Sequence, residues 1–304
     1  MLKEETLFGL EDKVQIAIDR LKSFEPPEGY WLSFSGGKDS QCIYHLAKMA
    51  GVKFEAHYSV TSVDPPELVG FIKEHYPDVS FDIPRDKNGN AITMWNLIPI
   101  KKTLPSRRLR FCCADLKEGQ SGKNRLVITG VRWSESVRRK NDHGMLDLGK
   151  GKKTAQIGDE AGAPYQTTDK GYIILNIDND ESRRMVELCI RTSRRLLNPI
   201  IDWEEDDVWE FLNDVAKVPH CSLYDEGFTR LGCIGCPLAG RDKQRQDFKR
   251  WPKYKRAYIN AIKRLLQEGR PYKLHDGATS TNAEAIVNYW IGQGADQEWK
   301  TLEE

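Results

Sequence analysis

An apolar run over residues 30–34 ends in Ser35-Gly36-Gly37-Lys38-Asp39-Ser40 and leads into a helical pattern over residues 40–49. Few folds accept a strand that turns into a helix through two adjacent glycines. Without Cβ atoms, Gly36 and Gly37 let the backbone take positive φ and approach an anion closely. Successive N–H groups and the helix N-terminus then cradle that anion, with hydroxyls from Ser35 and Ser40 and charge from Lys38. The Gly-x4-Gly-Lys-Ser/Thr pattern of the other common phosphate loop is absent, which disfavours kinase-like and GTPase-like chemistry.

The flanking pattern supplies the fold. Apolar residues at helical spacing (Leu10, Val14, Ile16, Ala17, Leu21) predict a helix over residues 10–24, broken by Glu25-Pro26-Pro27-Glu28-Gly29. Residues 54–60 read as a strand, 65–76 as a helix with Asp64 as its cap, and 79–83 as a strand. This β-loop-α-β-α-β order predicts an α/β fold, a parallel sheet with helices on both faces. Right-handed crossovers place the glycine loop at the carboxyl edge, where such sheets bind ligands. Residues 84–120 give no clear element and carry a basic stretch at Arg107, Arg108 and Arg110. Residues 125–129 read as a fourth buried strand. The Gly-, Lys- and Asp-rich residues 142–172 read as an insertion or mobile lid. Beyond it the pattern predicts a strand over 172–177 and helices over 181–197, 202–215, 241–268 and 282–292. The expected division is an α/β domain over residues 1–240 and a basic helical C-terminal region over 241–304.

Lys and Arg number 46 and Asp and Glu 45, so no global field draws the chain to nucleic acid or membrane. The N-terminus lacks the apolar core of a signal peptide, and no apolar run reaches the roughly 20 residues that span a bilayer. A cytoplasmic protein without membrane contact is expected. The seven cysteines are Cys42, Cys112, Cys113, Cys189, Cys221, Cys233 and Cys236. An odd number in a reducing compartment argues against disulfides and for metal or redox groups. Cys112-Cys113 precedes Cys233-Ile234-Gly235-Cys236 by 120 positions. Two cysteines separated by two residues turn their thiolates toward one ion, and an adjacent pair can reach different irons of a cluster. Four thiolates suit zinc or [4Fe–4S]. Cys42 and Cys189 read as core; Cys221 reads as core or as a further sulfur-carrying or ligating thiol.

The hexapeptide resembles the PP-loop of the ATP pyrophosphatase superfamily. That resemblance implies a Rossmann-like adenine nucleotide alpha hydrolase fold, ATP as ligand and attack at the α-phosphate. Cys-Cys followed much later by Cys-x-x-Cys is similar to the cluster pattern of adenylyl-sulfate (PAPS) reductases. The flanks are similar too. Gly130-Val131-Arg132-x-x-Glu135-Ser136-x-x-Arg139 resembles that family's Gly-x-Arg element, with Arg138 as a neighbouring alternative. Asn198-Pro199-Ile200-Ile201-Asp202-Trp203 with Asp207-Val208-Trp209, and Leu223-Tyr224-Asp225-x-Gly227-x-x-Arg230-x-Gly232-Cys233, resemble its approach to the cysteine loop. Together these blocks cover residues 28–240. They imply a [4Fe–4S] cluster at Cys112, Cys113, Cys233 and Cys236, with zinc or no metal as the alternative.

Two departures direct the expectation further. No cysteine follows Cys236, so the thiol with which these reductases attack sulfate sulfur has no counterpart here. Their PP-loop is degraded, whereas this one is whole. The combination resembles the ATP-pyrophosphatase component of DNA phosphorothioation systems. It implies that an acceptor oxygen is adenylated and that a sulfur donor, a cysteine desulfurase persulfide, displaces AMP, with Mg²⁺ bridging the phosphates. On this reading Ser35, Gly36, Gly37, Lys38, Asp39 and Ser40 hold pyrophosphate. Asp39 orients Mg²⁺ or caps the helix. Arg132 and Arg138 hold the α-phosphate or the acceptor, a role open also to Arg107, Arg108 and Arg110. The alternatives are an adenylyl-sulfate reductase and a nucleotide-gated nucleic-acid-binding module without turnover. The oligomeric state is not set by the sequence; a dimer is compatible with it.

Residues 241–264 hold ten Lys or Arg against two Asp, interleaved with Phe248, Trp251, Tyr254 and Tyr258. One reading is a DNA contact, with cations on phosphate and aromatics stacked on bases. The other puts the aromatics, spaced three, three and four apart, on a buried helix face with solvated cations opposite. The two are compatible if the aromatics are buried and the cations meet phosphate.

Overall fold

A computed structural model describes residues 1–6, 9–119, 122, 125–135, 145–147, 165–167, 173–175, 186–187, 195–267, 269, 271–274 and 277–293. The chain forms two compact units, Met1–Tyr58 with Gly70–Phe81 and Ser121–Arg230, and Ser59–Val69 with Asp82–Gln120 and Leu231–Glu304.

The first unit opens with an antiparallel hairpin, β1 (Lys3–Thr6) and β2 (Gly9–Asp12), where the helical pattern of residues 10–24 was expected to begin. The helix itself is Lys13–Ser23, capped by the Asp12 carboxylate, which accepts from the N–H groups of Val14 and Gln15. Then follow β3 (Tyr30–Ser33), the helix Lys38–Ala50, β4 (Phe54–Ser59), the helix Pro66–His75 and β5 (Ser80–Asp82). After them come β6 (Leu126–Ile128), β7 (Leu146–Asp147), β8 (Tyr165–Thr167), β9 (Ile173–Leu175), β10 (Val186–Glu187) and β11 (Arg195–Leu197). Seven of these strands form one sheet in the order β10-β7-β11-β6-β3-β4-β5. β11, β6, β3 and β4 run parallel, with Trp31 of β3 between Val127 of β6 and Glu55 of β4, while β7 is antiparallel to β11. This is the Rossmann-like α/β fold that the β-α-β pattern predicts. Leu32, Ile43, Leu46, Ile128 and Leu197 are completely buried, each worth roughly 1.5–3 kcal/mol over exposure.

β3 is where the strand order reverses. From it the chain proceeds to β4 and β5 on one side, while β6 and β11 lie on the other. The loops leaving β3 and β6 therefore diverge and open a crevice at the carboxyl edge.

The helix expected over 181–197 is not formed where the chain is described, since Val186–Glu187 and Arg195–Leu197 are strands. Helix-favouring residues lose here to tertiary pairing. A strand inserted between β6 and β7 satisfies its backbone on both sides, and Thr129 N–H donates to Leu197 O at 2.9 Å while Asn198 N–H donates to Met145 O at 2.7 Å. The expected helix 202–215 is an α-helix, Glu205–Glu210, continued by a π-helical turn, Phe211–Val215. Most of residues 142–172, and Cys189, lie outside the described residues.

The second unit contains the helices Met94–Lys101, Arg241–Arg250, Pro252–Leu266 and Ala283–Trp290, a π-helical turn Cys113–Glu118, and the hairpin of β12 (Tyr272–Lys273) and β13 (Thr279–Ser280). The single basic helix expected over 241–268 is broken at Trp251, because Pro252 disfavours helical backbone in the residue before it. Its core is aromatic. Tyr258 lies 5.2 Å from Trp95, 5.5 Å from Phe248 and 5.0 Å from Trp290, centroid to centroid. Phe248, Trp251 and Tyr258 are thus buried, and none of them offers a face to a base. No helix of the described residues is long and apolar enough to cross a membrane.

Candidate functional site

The glycine loop leaves β3 at the reversal point. Gly36 takes φ +73°, a conformation that favours glycine. Gly37 is extended (φ −79°, ψ 161°) and stands at the N-cap of the helix Lys38–Ala50, so positive φ is used at only one of the two glycines. The N-cap glycine offers this helix no capping side chain, which leaves the first N–H groups to other partners, and Gly37 N–H donates to Ser35 Oγ at 3.4 Å. The Lys38 N–H donates to the Tyr224 hydroxyl at 2.9 Å. The loop is tied to itself by Ser35 Oγ donating to Ser40 Oγ (3.1 Å) and Ser40 Oγ donating to Gly37 O (2.8 Å).

Four charged side chains interlock beside it. Lys38 is only 4 % exposed. Its Nζ donates to Thr229 O at 3.1 Å and lies 3.3 Å from Glu205 Oε1 and 3.7 Å from Asp39 Oδ2. Arg132, 2 % exposed, places Nε 2.7 Å from Asp39 Oδ1 and Nη2 2.7 Å from Glu205 Oε2. Its Nη1 donates to Ser134 Oγ at 2.9 Å and to Trp203 O at 3.4 Å. Two cations thus share two carboxylates. Burial alone would push the Glu205 carboxyl up, but Arg132 and Lys38 outweigh it and hold it below the usual range. Burial likewise works against charge on Arg132, and Asp39 and Glu205 reverse the effect. Asp39 therefore does not cap the helix; it sits within the first turn and faces cations.

The loop after β6 supplies Arg132, and Gly130 lets it approach. A Cβ at residue 130 would stand 2.9 Å from each of three Asp39 atoms, C, Cβ and O. The structure also adds residues to which the sequence reading gave no role in the site. Glu205 belongs to the acidic run Glu204–Asp207, whose sequence signal is a favourable first helical turn. Tyr224 lies edge-on to Trp209 at 5.0 Å, and burial raises its phenol, which stays protonated. Arg138 lies outside the described residues.

The second unit gathers the cysteines. Cys233-Ile234-Gly235-Cys236 is held by backbone and by the helix Arg241–Arg250. Ile234 N–H donates to Val63 O (2.7 Å), Gly235 N–H to Asp247 Oδ2 (3.0 Å), and Gln244 Nε2 to Gly235 O (2.9 Å). Cys112 hydrogen-bonds Cys113, which raises Cys112 and lowers Cys113, the latter aided by Arg110. Burial raises Cys233 against the pull of Lys117, whose ammonium is held charged by Cys233 and Asp64. The four thiols expected together are thus neighbours. Yet among the described residues no three His, Cys, Asp or Glu side chains are arranged to hold a metal ion. No chemical step is derived through a [4Fe–4S] cluster or zinc at these thiols. Arg107 donates to Pro237 O at 3.4 Å, and Arg110 lies 3.9 Å from Glu118. In the first unit Cys42 is core, its thiol 3.7 Å from Val208 O, and Cys221 is fully buried.

A parallel sheet whose switch point carries a glycine loop and a buried Arg-Lys pair places an anion-binding crevice at its carboxyl edge. The chain belongs to the phosphoadenosine phosphosulfate reductase domain family, whose model matches residues 29–239. It is 24 % identical over 238 residues to a probable FAD synthase of Schizosaccharomyces pombe, covering 76 % of this chain and 69 % of that protein. It is 32 % identical over 75 residues to an adenosine 5'-phosphosulfate reductase of Oceanobacillus iheyensis, covering 25 % of this chain and 27 % of that one. Among solved structures, a phosphoadenylyl-sulfate reductase from Candida auris aligns over 71 % of this chain and 87 % of its own, at 12 % identity and TM-score 0.41.

Proposed function

We infer that the chain is an ATP pyrophosphatase that releases pyrophosphate and activates an acceptor by adenylation for sulfur transfer. The observation that carries this reading is the whole Ser35–Ser40 loop, at the switch point, beside Lys38 and Arg132 on shared carboxylates. ATP brings phosphate oxygens that compete with Asp39 and Glu205 for the two cations. An acceptor oxygen attacks the α-phosphorus, the bond to the β-phosphate oxygen breaks, and pyrophosphate leaves against the loop N–H groups and Lys38. Arg132 steadies the α-phosphate. Mg²⁺ suits the carboxylate oxygens of Asp39 and Glu205 together with phosphates and would supply charge neutralisation there. A sulfur donor such as a desulfurase persulfide then displaces AMP; DNA is one acceptor that fits this scheme. A cluster or zinc at the cysteines is no part of it.

A second reading is adenylyl transfer to a small acceptor that keeps the AMP, favoured by the match to a probable FAD synthase over 76 % of the chain. The test is incubation with α-labelled ATP and Mg²⁺. AMP and pyrophosphate should appear, and Lys38→Ala should abolish both. ADP and phosphate would sink the assignment. Sulfite released from adenylyl sulfate by the pure protein with reductant would move it to the reductases.

A further inference from the structure

The second unit carries a recess of about 550 Å³ lined by Asp242, Arg245, Phe248, Lys249, Lys255 and Ile291 among others. Its cations fall into two groups. Arg245 pairs with Asp242 and donates to Ile291 O at 2.9 Å, so it caps the carboxyl end of the helix Ala283–Trp290. Arg241 lies over Gly292, where an added Cβ would stand 2.7 Å from its Cδ. These are structural cations. Lys249 and Lys255 differ, their side chains having no hydrogen bond, ion pair or ring contact among the described residues.

The same holds for Lys253, Arg256 and Lys263 farther along, whereas Lys243 is paired with Asp247, Arg250 with Glu67 at 2.9 Å, and Arg264 donates to Trp95 O at 2.5 Å. No Asp or Glu interrupts residues 248–266. From Lys253 to Lys263 the helix advances about 15 Å at about 1.5 Å per residue. A nucleic-acid strand presents a charge about every 3.4 Å of duplex axis, so several phosphates fit that length. A single free anion would need only the recess. An uninterrupted series of unpaired cations beyond it suits a polymer with one negative charge per repeat. Among the aromatics between the cations, Phe248, Trp251 and Tyr258 are core, and the partly buried Tyr254 donates its hydroxyl to Asp64 O at 2.8 Å.

We propose that Lys249 and Lys255 seat a phosphate of a polynucleotide backbone in this recess, with Lys253, Arg256 and Lys263 on further phosphates, and that the surface reads charge rather than sequence. Binding of that kind is steeply salt-dependent and indifferent to base order. This inference does not rest on the ATP chemistry.

The experiment is fluorescence anisotropy of the full chain with labelled 20-mers, single-stranded and duplex, in two unrelated sequences, between about 50 and 200 mM salt. Kd should rise at least about tenfold across that range and be equal for the two sequences. The Lys249→Gln/Lys255→Gln double variant should weaken binding about tenfold or more at low salt. It should also lower the slope of log Kd against log salt by about 0.7–0.9, the value for the one phosphate that the two lysines share. Both lysines lie at the surface, so the variant should melt as the parent does. Lys87→Gln, an exposed lysine in the same unit, should bind unchanged, and the double variant should release pyrophosphate as the parent does, which separates this outcome from failure of the ATP reading. Equal binding by the double variant, a flat salt response, or binding of poly-glutamate without either oligonucleotide would overturn the proposal.

Discussion

The two units treat positive charge in opposite ways. In the first, Lys38 and Arg132 are buried and already engaged by Asp39, Glu205 and backbone carbonyls. In the second, Lys249, Lys253 and Lys255 lie near the surface and are unpaired among the described residues. Desolvation explains the contrast. A cation taken out of water needs counter-charge before any ligand arrives, while a solvated one needs none. A buried anion site must therefore carry stand-ins for its ligand. A surface site does not, and its sequence signature is correspondingly plain: basic residues without acids among them.

The largest effect that can break this comparison is expected at Arg132. Arg132→Ala leaves Asp39 and Glu205 with Lys38 as their one shared cation. Loss of one partner from a buried pair costs about 3–5 kcal/mol, and because both carboxylates reach some water the expectation is about 2–3 kcal/mol. A melting temperature lower by about 5–10 °C follows for a unit of this size. Arg132→Lys should recover less than half, because an ammonium cannot serve four acceptors in a planar fork. Lys249→Ala should stay within about 0.5 kcal/mol. Similar losses at both positions would show that burial does not separate the two kinds of cation. Gly130→Ala comes next. Its Cβ would meet Asp39 backbone at 2.9 Å, an overpacking of about 1–3 kcal/mol with loss of pyrophosphate release. Gly232→Ala, with nothing within 4 Å of the added carbon, should be silent by melting.

What sequence reading reaches follows the same division. The hexapeptide and the β-α-β order were legible because glycine, strand–helix alternation and hydrophobic period are local signals; Arg132 was singled out only through a family resemblance. Arg195–Leu197 was not, since its strand state comes from pairing with β6 and β7 rather than from its own residues. Glu205 was hidden because an acid in a first helical turn has an adequate local explanation, and only the fold brings it to Lys38 and Arg132. The cysteines were legible as a group, and the fold makes neighbours of two pairs that lie far apart in sequence. Tyr258 and Phe248 illustrate the converse: their three- and four-residue spacing already contained the buried face that they occupy.

Acid should act on the pre-paired charges. Burial pushes the Asp207 carboxyl up, but the Lys13 ammonium at 2.8 Å outweighs it and holds Asp207 below its ordinary 3.8. Glu205 is likewise held below 4.5. A carboxyl depressed in the folded state contributes stability that is present above its unfolded value and lost as pH falls through the folded one. Lys13, raised above 10.5 although burial opposes it, contributes below that value and loses its part as pH rises through the folded one. The melting temperature should thus be flat from about pH 5 to 10 and fall on both sides. Asp207→Asn should lower the plateau and make the acid limb shallower. An acid limb of unchanged steepness would show that other carboxylates set it.

The smallest effect discriminates most finely, because its sign decides. If Glu205 stands in for phosphate on Lys38 and Arg132, Glu205→Gln frees both cations and removes a negative charge from the path of the ligand. ATP affinity measured without Mg²⁺ should then rise, by about 3- to 10-fold, since an ion pair of this partial exposure is worth about 1 kcal/mol. If Glu205 instead aims Lys38 at the leaving pyrophosphate, the same change should weaken ATP and slow turnover together. Isothermal titration with a non-hydrolysable ATP analogue reads the first quantity and pyrophosphate release the second. Glu205 is half exposed, its side chain 51 % accessible, so the fold should tolerate the change and the sign should report on the site alone. Tighter binding would show that the buried cations of the first unit are held in reserve by the protein's own carboxylates, which the unpaired lysines of the second unit are not.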